Sequence, residues 1–229
     1  MKKVAFNLLL LVAIVGLAFI CYRSIMDPIE FEEQRGAREK DIIARLIDIR
    51  TAQIEYRNNH QGAYTDNFDT LIDYIKTAQM PIVLKVGELN DEQLERGLTE
   101  KKVLEMIAKA EKTGKWADVE KEGLRDFRRD TTWIALVDTI YGKGFNVDSL
   151  KYVPYSNGAQ FELATSCDTT KSGSAQWLFE ARTPFETYLT GINDQEMKNL
   201  ISAQKKLGRY CGLKVGDVEQ PNNNAGNWE

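Results

Sequence analysis

The chain has 229 residues, 43% of them hydrophobic and 10% aromatic, which is enough for one sizeable core and excludes an intrinsically disordered protein. The formal net charge is −4, from 30 Lys and Arg against 34 Asp and Glu, and the basic residues form no stripe along the sequence. This mildly acidic balance argues against a nucleic-acid partner.

The first element in chain order is an uncharged apolar segment at residues 4–22, with the sequence VAFNLLLLVAIVGLAFICY. A helix of this length spans about 28 Å, enough to cross the core of a bilayer. Lys2 and Lys3 precede the segment, and acidic residues predominate just after it. The positive-inside rule therefore predicts a single-pass protein of the cell's inner (cytoplasmic) membrane, with a cytoplasmic stub at residues 1–3, a transmembrane helix at 4–22 and a periplasmic or otherwise extracytoplasmic domain after it.

Two alternatives to an anchor apply to the same segment. A signal peptide cleaved after residue 18 is one, because residues 16–18 (GLA) are small enough for signal peptidase. The apolar run continues to Tyr22, past that site, which favours retention. A lipoprotein would need a small residue before Cys21, where Ile20 stands. The retained anchor is the interpretation adopted, and cleavage of residues 1–18 stays open.

After the anchor, the sequence predicts a spacer and then an amphipathic helix. The spacer covers residues 23–36, and Pro28 is expected to interrupt any helix there, because proline lacks the N–H donor. From residue 37 to about Asn59, apolar residues recur at steps of three and four, which predicts one helix with a single apolar face. That face consists of Ile42, Ile43, Leu46, Ile47, Ile49, Gln53, Ile54 and Tyr56.

The remainder of the extracytoplasmic domain, residues 37–229, is predicted in three further parts. Residues 90–128 are charged and helix-rich, with too few apolar residues to stand alone, so they are predicted as a helical insertion on the main core. Residues 130–183 alternate and are rich in β-formers, which predicts an antiparallel meander with one covered face. Residues 220–229 have the composition of a loop and are predicted as a polar tail.

The pattern at residues 42–75 resembles that of type IV pilins and type II secretion pseudopilins. It consists of an amphipathic helix with Ala52 and Tyr56, a turn at residues 62–64 (GAY) and a short helix that contains Leu71. The resemblance implies an α+β fold in which the helix lies on an antiparallel sheet, and assembly through the anchored first helix. The chain departs from the family in its apolar segment, which lacks the glycine followed by Phe, Thr, Leu and Glu, so the peptidase site and the assembly glutamate are missing.

Cysteine usage agrees with an exported domain but leaves the redox state open. Cys21 lies inside the apolar segment, where it serves as a small apolar residue. A disulfide between Cys167 and Cys211 would close a loop of about 44 residues and contribute about 4 kcal/mol in the chain-entropy model. Two free buried thiols are the alternative, because two cysteines alone define no framework.

The sequence contains no recognisable catalytic motif. His60 is the single histidine and stands among turn-forming residues, with no second His or Cys at a metal-ligand spacing. There is no G-x-S-x-G elbow and no glycine-rich phosphate loop. We therefore predict no catalytic residue, no metal ligand and no cofactor, and we predict that the protein is not an enzyme.

Four residues are candidates for an interaction surface: Arg128, Arg129, Trp133 and Trp177. For the two arginines, within RDFRRDT, an ion-paired helix end is the structural alternative. The leading hypothesis is a membrane-anchored, non-enzymatic protein with a structural, assembly or scaffolding role in an envelope complex of the secretion or pilus type. Its partners would be the membrane, other envelope proteins and further copies of itself. A module that binds sugars or peptides through exposed aromatics is the alternative, and an envelope hydrolase that uses carboxylates is third.

Overall fold

The computed structural model describes residues 2–169, 173 and 175–229, except for the side chains of residues 2–5. Met1 of the predicted stub, and residues 170–172 and 174 of the predicted meander, lie outside the described residues. The architecture is α+β, with a long N-terminal apolar helix and small antiparallel sheets, which confirms the predicted fold class at this level.

The chain divides into two compact units. The helix–sheet unit consists of the residues up to Lys76 together with Gly144–Glu229, and the ribbon unit is Thr77–Lys143. The helices of the described chain are α1 (Lys2–Asn59), α2 (Phe68–Thr77), α3 (Asp91–Glu95), α4 (Glu100–Thr113), α5 (Ala117–Lys121), α6 (Leu136–Ile140), α7 (Phe185–Tyr188) and α8 (Asp194–Lys206), with a short 3-10 helix at Val147–Lys151. The strands are β1 (Gln79–Val86), β2 (Arg128–Ala135), β3 (Glu162–Thr169), β4 (Ala175–Pro184) and β5 (Gly212–Gly216).

Helix α1 is continuous over 58 residues and includes the predicted spacer at 23–36, so the interruption expected at Pro28 is wrong. The helix passes through Pro28, which removes one N–H donor and leaves the carbonyl of Ser24 without its helical partner. Ser24 is exposed, so water can replace the lost hydrogen bond. The helical segments on both sides therefore join without a break.

The sheet of the helix–sheet unit is antiparallel, with the described strands in the order β3-β4-β5. Phe179 in β4 is paired with Thr165 in β3, and Ala181 with Val215 in β5. Side chains alternate between the faces of a strand, so Phe179, Ala181 and Val215 share one face, and all three are fully buried. Helix α1 packs against β5 and β4.

The second half of α1 carries the predicted amphipathic face. Its buried residues among the described side chains are Phe31, Ile42, Leu46, Ile49, Ala52 and Gln53. Phe31 belongs to the predicted spacer, so packing begins earlier along the helix than the sequence indicates. Gln53 is tolerated in this face because its Nε2 donates to the carbonyl of Thr65 (2.6 Å) and its Oε1 accepts from the amide of Thr65 (3.2 Å).

The strands within the meander predicted at residues 130–183 belong to two sheets, and only β3 and β4 pair with each other. Strand β2 pairs with β1 in a separate antiparallel sheet of the ribbon unit, and the segment Val147–Lys151 is a 3-10 helix. The third strand of the β3–β4 sheet is β5, which lies beyond the predicted range. Strand-forming composition identifies extended segments, but the pairing partner depends on long-range contacts that composition does not encode.

The ribbon unit has a hydrophobic cluster of its own, formed by Val103, Ala110, Val119, Leu124 and Phe127. Partly buried apolar residues pack around it, among them Leu98, Met106, Ile107 and Trp116. The helices predicted at 90–128 are therefore only part of a larger unit with its own packing, whereas the sequence had indicated too few apolar residues for this.

The C-terminal segment predicted as a polar tail at 220–229 is hydrogen-bonded to strand β5. The amide of Gly216 donates to the carbonyl of Ala225 (3.0 Å), and the amide of Asn227 donates to the carbonyl of Lys214 (3.0 Å). The tail also reaches helix α1, because Arg50 forms an ion pair with the Glu229 side chain at 2.6 Å. The segment has loop composition, but backbone pairing holds it in place.

Candidate functional site

The N-terminal half of α1 is exposed and apolar. One 18-residue window has a mean hydropathy of 2.4, and none of it is buried in the protein. The large exposed apolar residues of this half are Phe6, Leu8, Leu9, Leu10, Leu11, Val12, Ile14, Val15, Leu17, Phe19, Ile20, Tyr22, Ile25 and Ile29. A contiguous apolar surface of this extent marks a membrane or partner contact, and the helix is long and apolar enough to cross a bilayer.

The exposed half and the buried half of α1 meet within a few helical turns. Tyr22 is 62% exposed, whereas Phe31 is only 3% exposed. They are nine positions apart along the helix, a distance of about 14 Å along the axis. Since the helix is uninterrupted here, the packed domain is attached to the apolar segment through helical backbone.

Contacts from α7 hold α1 just after this junction. Arg35 forms an ion pair with Glu39 at 3.0 Å, and the hydroxyl of Tyr188 donates to the Glu39 carboxylate at 3.2 Å. Arg38 donates through Nη1 to the carbonyl of Tyr188 (2.5 Å). Burial, and then the nearby Glu39 charge, raise the pKa of Tyr188 well above its usual value, so this hydroxyl stays a donor. These contacts position α1 where it enters the domain.

Two of the candidate interaction residues are engaged within the ribbon unit. The side chain of Arg129 is only 9% exposed, lies 4.0 Å from the ring centroid of Phe127, and forms an ion pair with Glu100 at 3.0 Å. The hydrogen bond from Arg129 lowers the pKa of Glu100. Arg128 is exposed and contacts Asp130 at 3.1 Å. Both arginines are thus ion-paired with residues of their own unit.

The two candidate tryptophans belong to different units. Trp133 is 61% exposed on β2 of the ribbon unit, and Trp177 is 37% exposed on β4 of the helix–sheet unit. Trp177 lies in an open groove of about 460 Å³. We call it the Trp177 groove, and its principal lining residues are Arg57, Gln61, Tyr64, Trp177, Asn223 and Asn224.

Of the two alternatives that the sequence leaves open for Cys167 and Cys211, a disulfide or two free thiols, the described chain has the second, because both residues are free thiols. Cys167 is paired with Trp177 across β3 and β4, and Gly212, which follows Cys211, is paired with Pro184. Trp177 and Pro184 are seven residues apart along β4, which corresponds to about 23 Å. A disulfide requires Cα atoms within about 7 Å of each other, so the fold keeps the two thiols apart.

His60 is the centre of a small aromatic cluster. Its ring stacks on Tyr56 with centroids 3.7 Å apart and meets Tyr74 edge-on at 5.1 Å. Its Nδ1 lies 2.7 Å from the carbonyl of Tyr56. Within the part of the chain that the structure describes, no group of three or more His, Cys, Asp or Glu residues could hold a metal ion.

Sequence reasoning missed a buried charge network between β4 and β5. Glu180 is 4% exposed, and its carboxylate lies 3.1 Å from Arg182 Nη1 and 2.9 Å from Lys214 Nζ. Although burial opposes the charged form, hydrogen bonds to Asp217 and Glu180 raise the pKa of Lys214. Alternation along β4 places Glu180 and Arg182 on one face, but nothing in the sequence indicates that Lys214 completes the network. Its role is to join two strands.

Together, the fold and this helix define an α+β protein whose first helix is compatible with a single-pass membrane anchor. No family model, curated protein or solved structure matches the chain.

Proposed function

We propose that this protein is a single-pass, non-enzymatic component of the bacterial envelope, anchored in the inner membrane with its amino terminus in the cytoplasm. The domain lies on the periplasmic or other extracytoplasmic side and serves a structural, assembly or scaffolding role in a complex of the secretion or pilus type. Its architecture is pilin-like: one helix is both the anchor and the spine of the domain.

One observation carries this proposal, namely the continuity of α1 from its exposed apolar half into the buried core. A flexible tether would be sufficient to keep an enzyme near a membrane. A continuous helix that packs on β4 and β5 sets the height of the domain above the bilayer, and this suits a subunit that must present its surface in register with neighbours. The resemblance at residues 42–75 supports the same arrangement.

Two sequence features refine the proposal. Lys2 and Lys3 before the apolar segment, and the acidic residues just after it, support a cytoplasmic amino terminus. The segment lacks the glutamate that pilins use in fibre assembly. We therefore propose an anchored subunit of a complex rather than a protein that polymerises into a fibre.

The proposed orientation leads to a labelling prediction that uses a native thiol. Cys167 is exposed on β3, Cys21 lies in the apolar segment, and Cys211 is partly buried with its Sγ 3.7 Å from the carbonyl of Ile201. In intact spheroplasts that contain the full chain, a membrane-impermeant maleimide is expected to label the protein at Cys167. The Cys167→Ser variant is the control and should remain unlabelled. Labelling of Cys167 only after lysis would place the domain in the cytoplasm and contradict the proposal.

The proposed assembly role predicts protein contacts at the junction between anchor and domain. A photo-crosslinking amino acid at Ile25 or Ile29, which are exposed apolar residues of α1, is expected to yield adducts with envelope proteins or with a second copy of the chain. The matched control is Leu207, which is 63% exposed after α8. Equal crosslinking at all three positions, or hydrolysis of envelope glycans or peptides by the purified full chain, would contradict the assembly role.

A further inference from the structure

The Trp177 groove exists because the sheet extends beyond the end of helix α1. Phe179 and Trp177 are on the same face of β4, since they are two residues apart. Phe179 is fully buried and contacts the ring of Tyr64 with centroids 4.8 Å apart. Helix α1 ends at Asn59, so it does not cover the same sheet face at Trp177, two residues before Phe179 on β4. Trp177 is therefore partly exposed to solvent.

The backbone around this groove adopts an uncommon conformation. In the described chain, positive φ angles at non-glycine residues occur at Gln61 (55°), Tyr155 (61°), Asn223 (56°) and Asn224 (59°). Three of these, all except Tyr155, line the Trp177 groove. Left-handed backbone is costly for residues with a Cβ and is concentrated at functional sites. Gln61, Asn223 and Asn224 bring three amide side chains from two distant segments of the chain to the lining of the groove.

The framework that holds these segments together is formed by Tyr64. Its hydroxyl accepts hydrogen bonds from Arg57 Nη1 (3.2 Å) and from Asn224 Nδ2 (3.0 Å). The guanidinium of Arg57 also lies over the Tyr64 ring at 5.6 Å. The turn after α1 and the C-terminal segment are thereby fixed to each other beside Trp177, so the groove is formed before any ligand enters.

The polar groups of the groove are mostly side-chain amides. Gln61, Gln176 and Asn223 line it. Each amide offers both donors and an acceptor. Arg57 contributes a positive charge, and no carboxylate is present among the described lining residues. This combination suits a ligand with many hydroxyl groups and a neutral or negative charge, and it disfavours a cationic one.

We propose that the Trp177 groove binds a glycan, with a pyranose ring stacked on the indole of Trp177 and its hydroxyl groups hydrogen-bonded by the surrounding amides. A pyranose presents an apolar C–H face and a rim of hydroxyls that both donate and accept, which matches an aromatic floor with an amide rim. The groove volume of about 460 Å³ falls in the range of small-ligand sites. This site is separate from the anchor and does not depend on the assembly role.

The test uses the full chain in a detergent without sugar headgroups, because glycosidic detergents would compete. A glycan array with neutral hexose, N-acetylhexosamine and uronic-acid oligosaccharides is screened first, and the tightest glycan is then titrated calorimetrically. Trp177→Ala is expected to weaken binding by about tenfold or more, as for truncation of a central aromatic anchor. The matched control is Trp133→Ala, another exposed strand tryptophan, which should change the affinity by less than about twofold.

A second variant keeps the test valid if Trp177→Ala disturbs the sheet. Asn223→Gly removes one amide but suits the left-handed backbone, so the fold should be retained while affinity falls by about threefold to tenfold. The proposal is overturned if no glycan on the array binds, if the two tryptophan variants weaken binding equally, if Asn223→Gly leaves affinity unchanged, or if an extended peptide occupies the groove and no glycan does.

Discussion

Leu46→Ala is expected to destabilise the helix–sheet unit by about 2–5 kcal/mol. Leu46 is fully buried on the face of α1 that packs on the sheet. Truncation removes buried apolar surface and leaves a cavity between a long helix and paired strands, neither of which can shift freely to fill it. The measurement is urea unfolding of the detergent-solubilised full chain, followed by hydrogen exchange of the β4 amides so that the signal belongs to this sheet alone.

Ile47→Ala is the matched control for this prediction, because Ile47 is the next residue on the same helix but is 38% exposed. The expected cost is below about 1 kcal/mol. If both variants lost the same stability, the packing face of α1 would have been assigned incorrectly. If neither did, the stability of the domain would not depend on α1, and α1 would not connect the domain rigidly to the membrane.

Gly216→Ala is expected to cost about 3 kcal/mol or more, through two effects that act together. Gly216 has a φ of +74°, and a Cβ at this position would lie 2.1 Å from the carbonyl oxygen of Phe179. That oxygen belongs to the backbone of β4, so relief requires β5 to move away. The amide of Gly216 also holds the C-terminal segment through Ala225. Reduced protection of both β5 and residues 224–227 is the expected pattern of hydrogen exchange.

Gly208→Ala is the control that separates the cost of a left-handed backbone from the cost of the steric clash expected at Gly216. Gly208 also has a positive φ, at +65°, but a Cβ there meets no atom within 4 Å. Its replacement is expected to cost only about 1–2 kcal/mol, the penalty for a left-handed residue with a Cβ. Equal costs at the two glycines would mean that β5 tolerates displacement from β4.

These two predictions concern the same property, which is the rigidity of the path from the apolar half of α1 to the sheet. A subunit that positions neighbours in an envelope complex needs such a path, because any hinge between anchor and sheet would uncouple them. The contacts of Arg38 and Glu39 with Tyr188 add to this path on the side of α7. Leu46→Ala and Gly216→Ala are therefore expected to reduce the yield of crosslinked adducts at Ile29 as well as the stability of the helix–sheet unit.

Several elements could be predicted from the sequence because their signals are local. The uncharged run at residues 4–22 and the spacing of Ile42, Leu46 and Ile49 depend only on neighbouring residues. Hydrophobic periodicity of this kind indicates which face of a helix will be buried, but it does not indicate which element will pack against that face. At Pro28 the local rule predicts a break in the helix, but α1 continues through it. The rule does not take into account that water can hydrogen-bond to the exposed carbonyl that proline leaves without a partner.

The candidate site was only partly predictable. Trp177 was identified as an aromatic in an alternating run, but its groove depends on where α1 ends and on residues 223 and 224, which lie far away in the sequence. For Arg129 the sequence leaves a partner contact and an ion pair as alternatives, and in the structure its guanidinium lies over Phe127 and pairs with Glu100. The neighbouring residues Arg128 and Arg129 differ in the structure, since the first side chain is exposed and the second is largely covered. Their spacing in the sequence could not distinguish them.

By itself, the sequence determined the apolar first segment, the amphipathic continuation of α1 and the α+β class, because each follows from the chemistry of adjacent residues. Only the tertiary structure decided which strands pair, why Cys167 and Cys211 stay apart, and how the C-terminal segment is held on β5. The physical reason is that backbone hydrogen bonds between strands are chemically alike, so the partner is selected by side-chain packing between residues distant in sequence.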